Sequence, residues 1–285
     1  MNNLPDVQEL MEPNIRIPIQ QVGVENIKLN FTLALRDEGI VQLPANASIR
    51  TNLSSEKKGI SMSRLLLTLE PFLGQQLNHE LMFLILAKIN ENVGSTKSYL
   101  KFDFELPIMK KSILSDNSFP LYHKCFFEAQ SGDELKFFQG IRLQYASYCP
   151  CSAELSRNLV ESGKCDYPGF PHAQRSYADI LIRGDLSPQN SPWLEDIIDL
   201  VYDVIKTQPY PIIKRIDEQE IARIASQNPL FVEDAIREIS NKLNNQVNII
   251  DWLVKCSHEE SIHTHEAIAI SWKGIEGGFT GDYKL

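Results

Sequence analysis

The chain has 285 residues, 43% of them hydrophobic and 23% charged, with 37 acidic against 28 basic side chains and a formal net charge of −9. That length supports one large core or two smaller ones. The acidic balance excludes the dense basic face needed to coat nucleic acid, and the lack of any run of about eighteen apolar residues excludes a membrane-spanning helix. A small anionic substrate stays possible, because a local Arg/Lys cluster can hold a triphosphate. Met1–Asp6 has neither the basic start nor the apolar stretch of a secretory signal. The 5 cysteines are an odd number without the spacing of a disulfide scaffold. Free thiols suit a reducing compartment, so a cytoplasmic protein is expected.

Ile27–Arg36 and Leu100–Leu106 alternate in period two and predict half-buried antiparallel strands. Between them, Ser61–Asn92 has leucines at helical spacing, broken at Glu70-Pro71. A further strand is predicted at Leu121–Ala129. The first half reads strand, strand, helix, helix, strand, strand, and the second half repeats that order. Leu135–Tyr148 and Ser176–Arg183 predict strands. Ser191-Pro192 opens a helix striped by Leu194, Ile197, Ile198, Val201 and Ile205, and Asn228-Pro229 opens another striped by Val232, Ile236, Ile239 and Leu243. A short extra helix is predicted at Asp217–Ala225, and Val247–Val254 and Glu266–Trp272 close the chain as strands. The pattern is α+β, with halves at 1–133 and 134–285 related by element order and not by repeated sequence.

Chemistry concentrates in the second half. Cys149-Pro150-Cys151-Ser152 is followed by His172-Ala173-Gln174-Arg175-Ser176. Pro150 suits the first position of a helix, and a helix N-terminus stabilises a thiolate on Cys149 or Cys151. A thiolate, an imidazole and one later carboxylate would make a three-ligand metal site with a vacant position, the build of a catalytic site. The plainer alternative is two thiols packed as small apolar groups. Lys214-Arg215-Ile216-Asp217-Glu218 offers the carboxylate, with Glu218 as third ligand, or merely complements a helix dipole. Such a set of S, N and O ligands tolerates zinc, manganese or ferrous iron. Glu233, at a second helix start, can accept two parallel hydrogen bonds from the guanine N1–H and amine, or is an ordinary first-turn acid. Glu260-Ser261-Ile262-His263-Thr264-His265 precedes the last strand. His263 and His265 share one face of an extended segment and suit proton transfer, metal binding or a solvated edge.

Taken in order, eight segments of the chain resemble the GTP cyclohydrolase I type IB family. They are Leu4–Gln8, Ile17–Ile19 with Val22–Val24, Lys58–Arg64, the Cys149–Ser152 turn, His172–Ser176, Lys214–Glu218, Asn228–Asp234 and Glu260–His263. The resemblance implies tandem tunnelling-fold units, each a four-stranded antiparallel sheet with two helices on one face. It implies a homotetramer with active sites between subunits. The implied reaction is hydrolysis of GTP to formate and 7,8-dihydroneopterin triphosphate, the entry to folate-type pterins. Carried onto this chain, it makes Cys149, His172 and Glu218 ligands of a divalent metal. Glu233 would hold guanine, His263 would transfer protons, and Cys151 would be a second catalytic thiol. Arg64, Arg175, Lys214 and Arg215 are candidates for the triphosphate. In that scheme an activated water attacks guanine C8 while His263 protonates the imidazole ring, so that the C8–N bonds open. The chain departs from the family at Ser61, where a histidine is usual, and in a longer link from Glu161 to Pro171. Three other activities share parts of the pattern: an archaeal-type cyclohydrolase giving a cyclic phosphate, a nitrile reductase of the same superfamily, and purine or metal binding without turnover.

Overall fold

The computed structural model describes residue 8, residues 11–187 and residues 191–282. Most of the Leu4–Gln8 segment therefore lies outside the described residues. The fold is α+β. Eight strands form one antiparallel sheet in chain order, β1 (Ile19–Leu35), β2 (Gly39–Leu53), β3 (Ser98–Lys111), β4 (Ser118–Ser131), β5 (Lys136–Tyr148), β6 (Ala173–Gly184), β7 (Ile249–His258) and β8 (Ala267–Trp272). The six α-helices among the described residues are α1 (Met62–Leu69), α2 (His79–Val93), α3 (Pro150–Glu161), α4 (Leu194–Val204), α5 (Arg215–Gln227) and α6 (Val232–Asn244). None is long and apolar enough to cross a membrane.

The chain forms two compact units, one of residues 1–105 and 125–139, the other of residues 106–124 and 140–285. In the first, alternation buries Phe31, Leu33 and Leu35 on β1 and Ala45, Ala47 and Ile49 on β2. Phe31 meets Phe104 edge-on at 5.2 Å, Phe104 meets Phe127 at 5.3 Å, and Phe127 meets Phe137 at 5.4 Å. Tilted and edge-on ring pairs of this kind add to burial. The predicted break at Glu70-Pro71 is a single 3-10 turn between α1 and α2. Ser61 caps α1 by accepting the Arg64 N–H at 3.4 Å, which accounts for a serine at that place. Asn78 caps α2 the same way, accepting the Leu81 N–H at 2.8 Å, and Gly94 ends it in the left-handed region at φ 62°.

In the second unit, α6 packs on β7 and β8, and α4 packs on α6. The apolar stripes of α4 and α6 are buried at Leu194, Ile197, Ile198 and Val201, and at Val232, Ile236, Ile239 and Leu243. Both helices begin later than their prolines suggest. α4 starts at Leu194, where the Trp193 N–H donates to Asp196 at 3.2 Å. Asn228 closes α5 by donating to the Ile224 carbonyl at 2.7 Å, and α6 starts at Val232. An aspartate at N3, or a side chain closing the previous helix, took the roles assigned to the prolines. β7 runs on to His258, four residues beyond its predicted end, and β8 falls where it was predicted to within one residue.

One close approach shapes the first unit. Gly23 on β1 faces Arg50 on β2, and a Cβ at Gly23 would lie 1.9 Å from the Ile49 carbonyl oxygen. Gly23→Ala should therefore cost about 1–3 kcal/mol as an overpacking change, read as a lower urea midpoint. An unchanged midpoint would show that the two strands part without penalty.

Candidate active site

The site grows from the end of β5. Cys149 follows Tyr148 with extended backbone (φ −68°, ψ 119°) and is the N-cap of α3, with Pro150 in the first turn. Its Sγ accepts the Ser152 N–H at 3.5 Å. No residue of α3 is buried. Its apolar side chains Leu155 and Leu159, 67% and 45% exposed, form a wall over open space.

The long link after α3 turns back onto the helix. Ser156 Oγ donates to the Gly169 carbonyl at 2.9 Å, and the His172 N–H donates to Ser152 Oγ at 3.4 Å. The Cys149 N–H then donates to the His172 carbonyl at 3.2 Å. The extra residues of Glu161–Pro171 are absorbed in the fold-back, and His172 arrives beside Cys149.

The His172 ring is held from one side. Its Nδ1 lies 3.0 Å from Gln174 Oε1 and 3.7 Å from Glu260 Oε2, and Gln174 Nε2 donates to Glu260 Oε1 at 3.2 Å. Gln174 Oε1 can only accept, so Nδ1 carries the proton. In the neutral ring this leaves the Nε2 lone pair free for a metal or a proton, the arrangement usual for a ligating histidine. Glu260 reaches this position because the β6–β7 pairing continues past the strand ends, with the Glu259 N–H donating to the Arg175 carbonyl at 2.9 Å.

A cleft of about 690 Å³ opens here. Cys149, Cys151, His172, Glu260, His263 and His265 line it together with Ser152 and Ser156, and Leu155, Leu159 and Ile262 contribute an apolar wall. The His263 and His265 rings stack with centroids 4.9 Å apart and planes 16° from parallel. On the strands that lead to these segments, Tyr145 of β5 and His258 of β7 are buried and hydrogen-bonded, O to Nε2, at 2.9 Å. Burial pushes His258 down to about 4, with the charge of Glu233 opposing the shift, and burial pushes the Cys256 thiol up to about 12. Glu233 is exposed in the first turn of α6. The start of that helix is tied to the site, since the Leu230 N–H donates to the Tyr148 carbonyl at 2.9 Å.

The cleft thus gathers Cys149, Cys151, His172 and His263 from their separate segments. It does not gather Glu218. That residue is exposed in the first turn of α5 and does not line the cleft. Its neighbour Asp217 is the buried carboxylate, accepting the Leu114 N–H at 2.7 Å, the Ser115 N–H at 2.9 Å, the Ser115 hydroxyl, and the Lys214 N–H at 2.7 Å. Burial alone would raise the Asp217 pKa, but these donors outweigh it and hold the carboxyl well below its usual range. Fixing Asp217 inward leaves Glu218 facing solvent. Among the described residues no group of three His, Cys, Asp or Glu side chains is arranged to hold a metal. The expected three-ligand set is therefore not assembled within this one chain. Arg175, Lys214 and Arg215 are exposed outside the cleft lining, and Arg64 is half-buried on α1 in the first unit.

Sequence reasoning assigned no role to Gln174 or Glu260. The available signal was spacing. Gln174 is two residues from His172 on one face of a strand, and Glu260 is three residues before His263.

The family model for type I GTP cyclohydrolase FolE2 matches residues 4–269. The chain belongs to the FolE2 family. The resemblance read from the sequence is thereby supported at the level of the family, and FolE2 is a family distinct from the classic GTP cyclohydrolase I enzymes. Among FolE2 relatives, GTP cyclohydrolase FolE2 of Dinoroseobacter shibae is 32% identical over 279 residues, covering 96% of this chain and 75% of its own length. That of Pseudoalteromonas translucida is 32% identical over 307 residues, covering 97% and 99%. Solved structures of similar shape are uricases. Urate oxidase from Bacillus sp. TB-90 aligns with a TM-score of 0.53 at 8% identity, over 89% of this chain and 99% of that one. A hyper-thermostable AgUricase mutant aligns with a TM-score of 0.52 at 9% identity, over 93% and 94%. At that identity the likeness is one of fold, the uricase-like tunnelling fold.

The buried histidines set a pH dependence. His258 is pushed from 6.5 to about 4 by burial, and so is His123, by burial and then by the charge of Lys110. Between those values the unfolded chain takes up protons that the folded chain refuses, so stability rises with pH across the window. The slope is at most about 1.4 kcal/mol per pH unit for each ring. Urea midpoints should fall as pH drops from about 6.5 toward about 4, and His258→Gln should flatten the decline. A wild-type midpoint that stays constant through the window would mean that these rings are already charged in the fold.

Proposed function

We propose that this chain is a GTP cyclohydrolase that hydrolyses GTP to formate and 7,8-dihydroneopterin triphosphate, the first step of tetrahydrofolate-type pterin synthesis in the cytoplasm. FolE2 relatives named GTP cyclohydrolase match it over nearly its whole length. The observation that carries the reading is the convergence of Cys149, Cys151, His172 and His263 on one cleft.

In this reading Cys149 and His172 hold a divalent metal (manganese, zinc or ferrous iron), whose chemistry when bound is Lewis acidity toward water. The donor types suit such a metal, and the His172 Nε2 is left free by the bond at Nδ1. Glu218 is the third ligand only if another copy of the chain brings α5 to the cleft. This agrees with a homotetramer whose active sites lie between subunits. Glu233 holds the guanine N1–H and amine, and its place at the start of α6, tied to the end of β5, supports that role. His263 gives a proton to the imidazole ring of guanine as the C8–N bonds open. Cys151, exposed in the cleft, is the second catalytic thiol. Arg64, Arg175, Lys214 and Arg215 are assigned to the triphosphate. The element order on either side of residues 133 and 134 is read as two tandem tunnelling-fold units.

The test is formate release and a fluorescent oxidised pterin from GTP, using protein stripped and reloaded with manganese, zinc or ferrous iron. Metal-dependent appearance of both products is expected. Cys149→Ala should bring formate to background and metal content to near zero by elemental analysis, and a variant that keeps a full metal complement would exclude the ligand role. Glu233→Gln should keep its metal and raise the KM for GTP by about 10–100-fold, the effect of losing one charge-assisted hydrogen bond. An unchanged KM would remove Glu233 from guanine recognition.

A further inference from the structure

The stacked pair at the cleft mouth contains a residue to which the reaction scheme gives no part. We propose that His265 is a positioning residue whose ring holds the His263 imidazole in the plane from which it meets the substrate. The inference rests on the reading of His263 as the group that moves a proton.

The backbone makes the pair. β7 ends at His258 and β8 begins at Ala267, and these two residues are partners in the ladder. The connecting residues must turn within that span, and the His263 N–H donates to the Glu260 carbonyl at 3.2 Å to close the turn. Residues 263–265 form a bend before β8, and that bend brings the two rings face to face. Both side chains are exposed in the cleft. Among the described residues neither ring is hydrogen-bonded through a nitrogen, so the face-to-face contact at 4.9 Å and 16° is what fixes the His263 ring.

That means of fixing suits the proposed task. A histidine held by a hydrogen bond, as His172 is by Gln174 and Glu260, has one nitrogen committed. A histidine held by its ring face has both nitrogens open toward the cleft while its ring plane stays fixed. An unstacked His263 on an exposed turn would sample several rotamers, and small misplacements of a reacting group are costly in rate. The role requires a flat ring at position 265 and does not require its nitrogens.

The experiment compares His265→Ala and His265→Phe in the metal-loaded protein, with His263→Ala as reference. The Ala variant should lose at least about tenfold in kcat, with the KM for GTP and the metal content within about twofold of wild type. The Phe variant should recover most of kcat. The chain has 6 histidines, so the His263 ring proton can be followed by NMR. Its ring-current shift should vanish in His265→Ala and persist in His265→Phe, which reads the stack independently of turnover. A Phe variant as impaired as the Ala variant would overturn the proposal, because a nitrogen of His265 would then be needed. Full activity in His265→Ala would overturn it as well. Full activity in His263→Ala would end it through the proton-transfer reading, with the NMR shift still recording the stack.

Discussion

The hydrogen bond from the Cys149 N–H to the His172 carbonyl is the constraint on which the site depends. It closes a loop containing a whole helix, and loop closure of that length costs entropy that grows only slowly with further residues. Extra residues between Glu161 and Pro171 are therefore tolerated so long as the closing contacts remain. Ser152 and Ser156 provide two of them on the inner side of α3. A sulfur and an imidazole far apart in sequence are thereby presented to the same space.

Around this closure the site is layered by how firmly each group is held. His172 is fixed by two polar neighbours, one of them on the far side of the β6–β7 pair. Tyr145 on β5 and His258 at the end of β7 form a buried hydrogen-bonded pair, and burial disfavours the charged form of the histidine. α3 offers an unburied apolar wall. Polar side chains facing an apolar wall suit recognition of a flat heteroaromatic group bearing polar edges.

Much of this was legible in the sequence, and the rest was hidden for identifiable reasons. Alternation located β1 from Ile27 onward but not its start at Ile19, because register shifts between Ile19 and Val22 and between Val24 and Ile27 break the period. Prolines marked where helices begin only to within a few residues, since Asp196 and Asn228 do the capping through their side chains. Cys149, His172 and His263 could be found from local motifs because each carries its chemistry on its own segment. The division of labour between Asp217 and Glu218 could not, because it is decided by Leu114 and Ser115, about a hundred residues earlier. Gln174 and Glu260 lie within three residues of His172 and His263, but spacing alone does not say that they orient a ring, and the contact of Glu260 with Gln174 spans the β6–β7 pair.

The bond between Gln174 and Glu260 joins residues 86 positions apart. Contacts of such separation form only after the intervening chain is available and paired. During synthesis on a ribosome, Cys149 and His172 emerge and can meet long before the carboxylate that orients the imidazole has been made. Until then Gln174 is the partner made early enough to hold the imidazole, and Glu260 adds its contact only when the last hairpin is synthesised and paired.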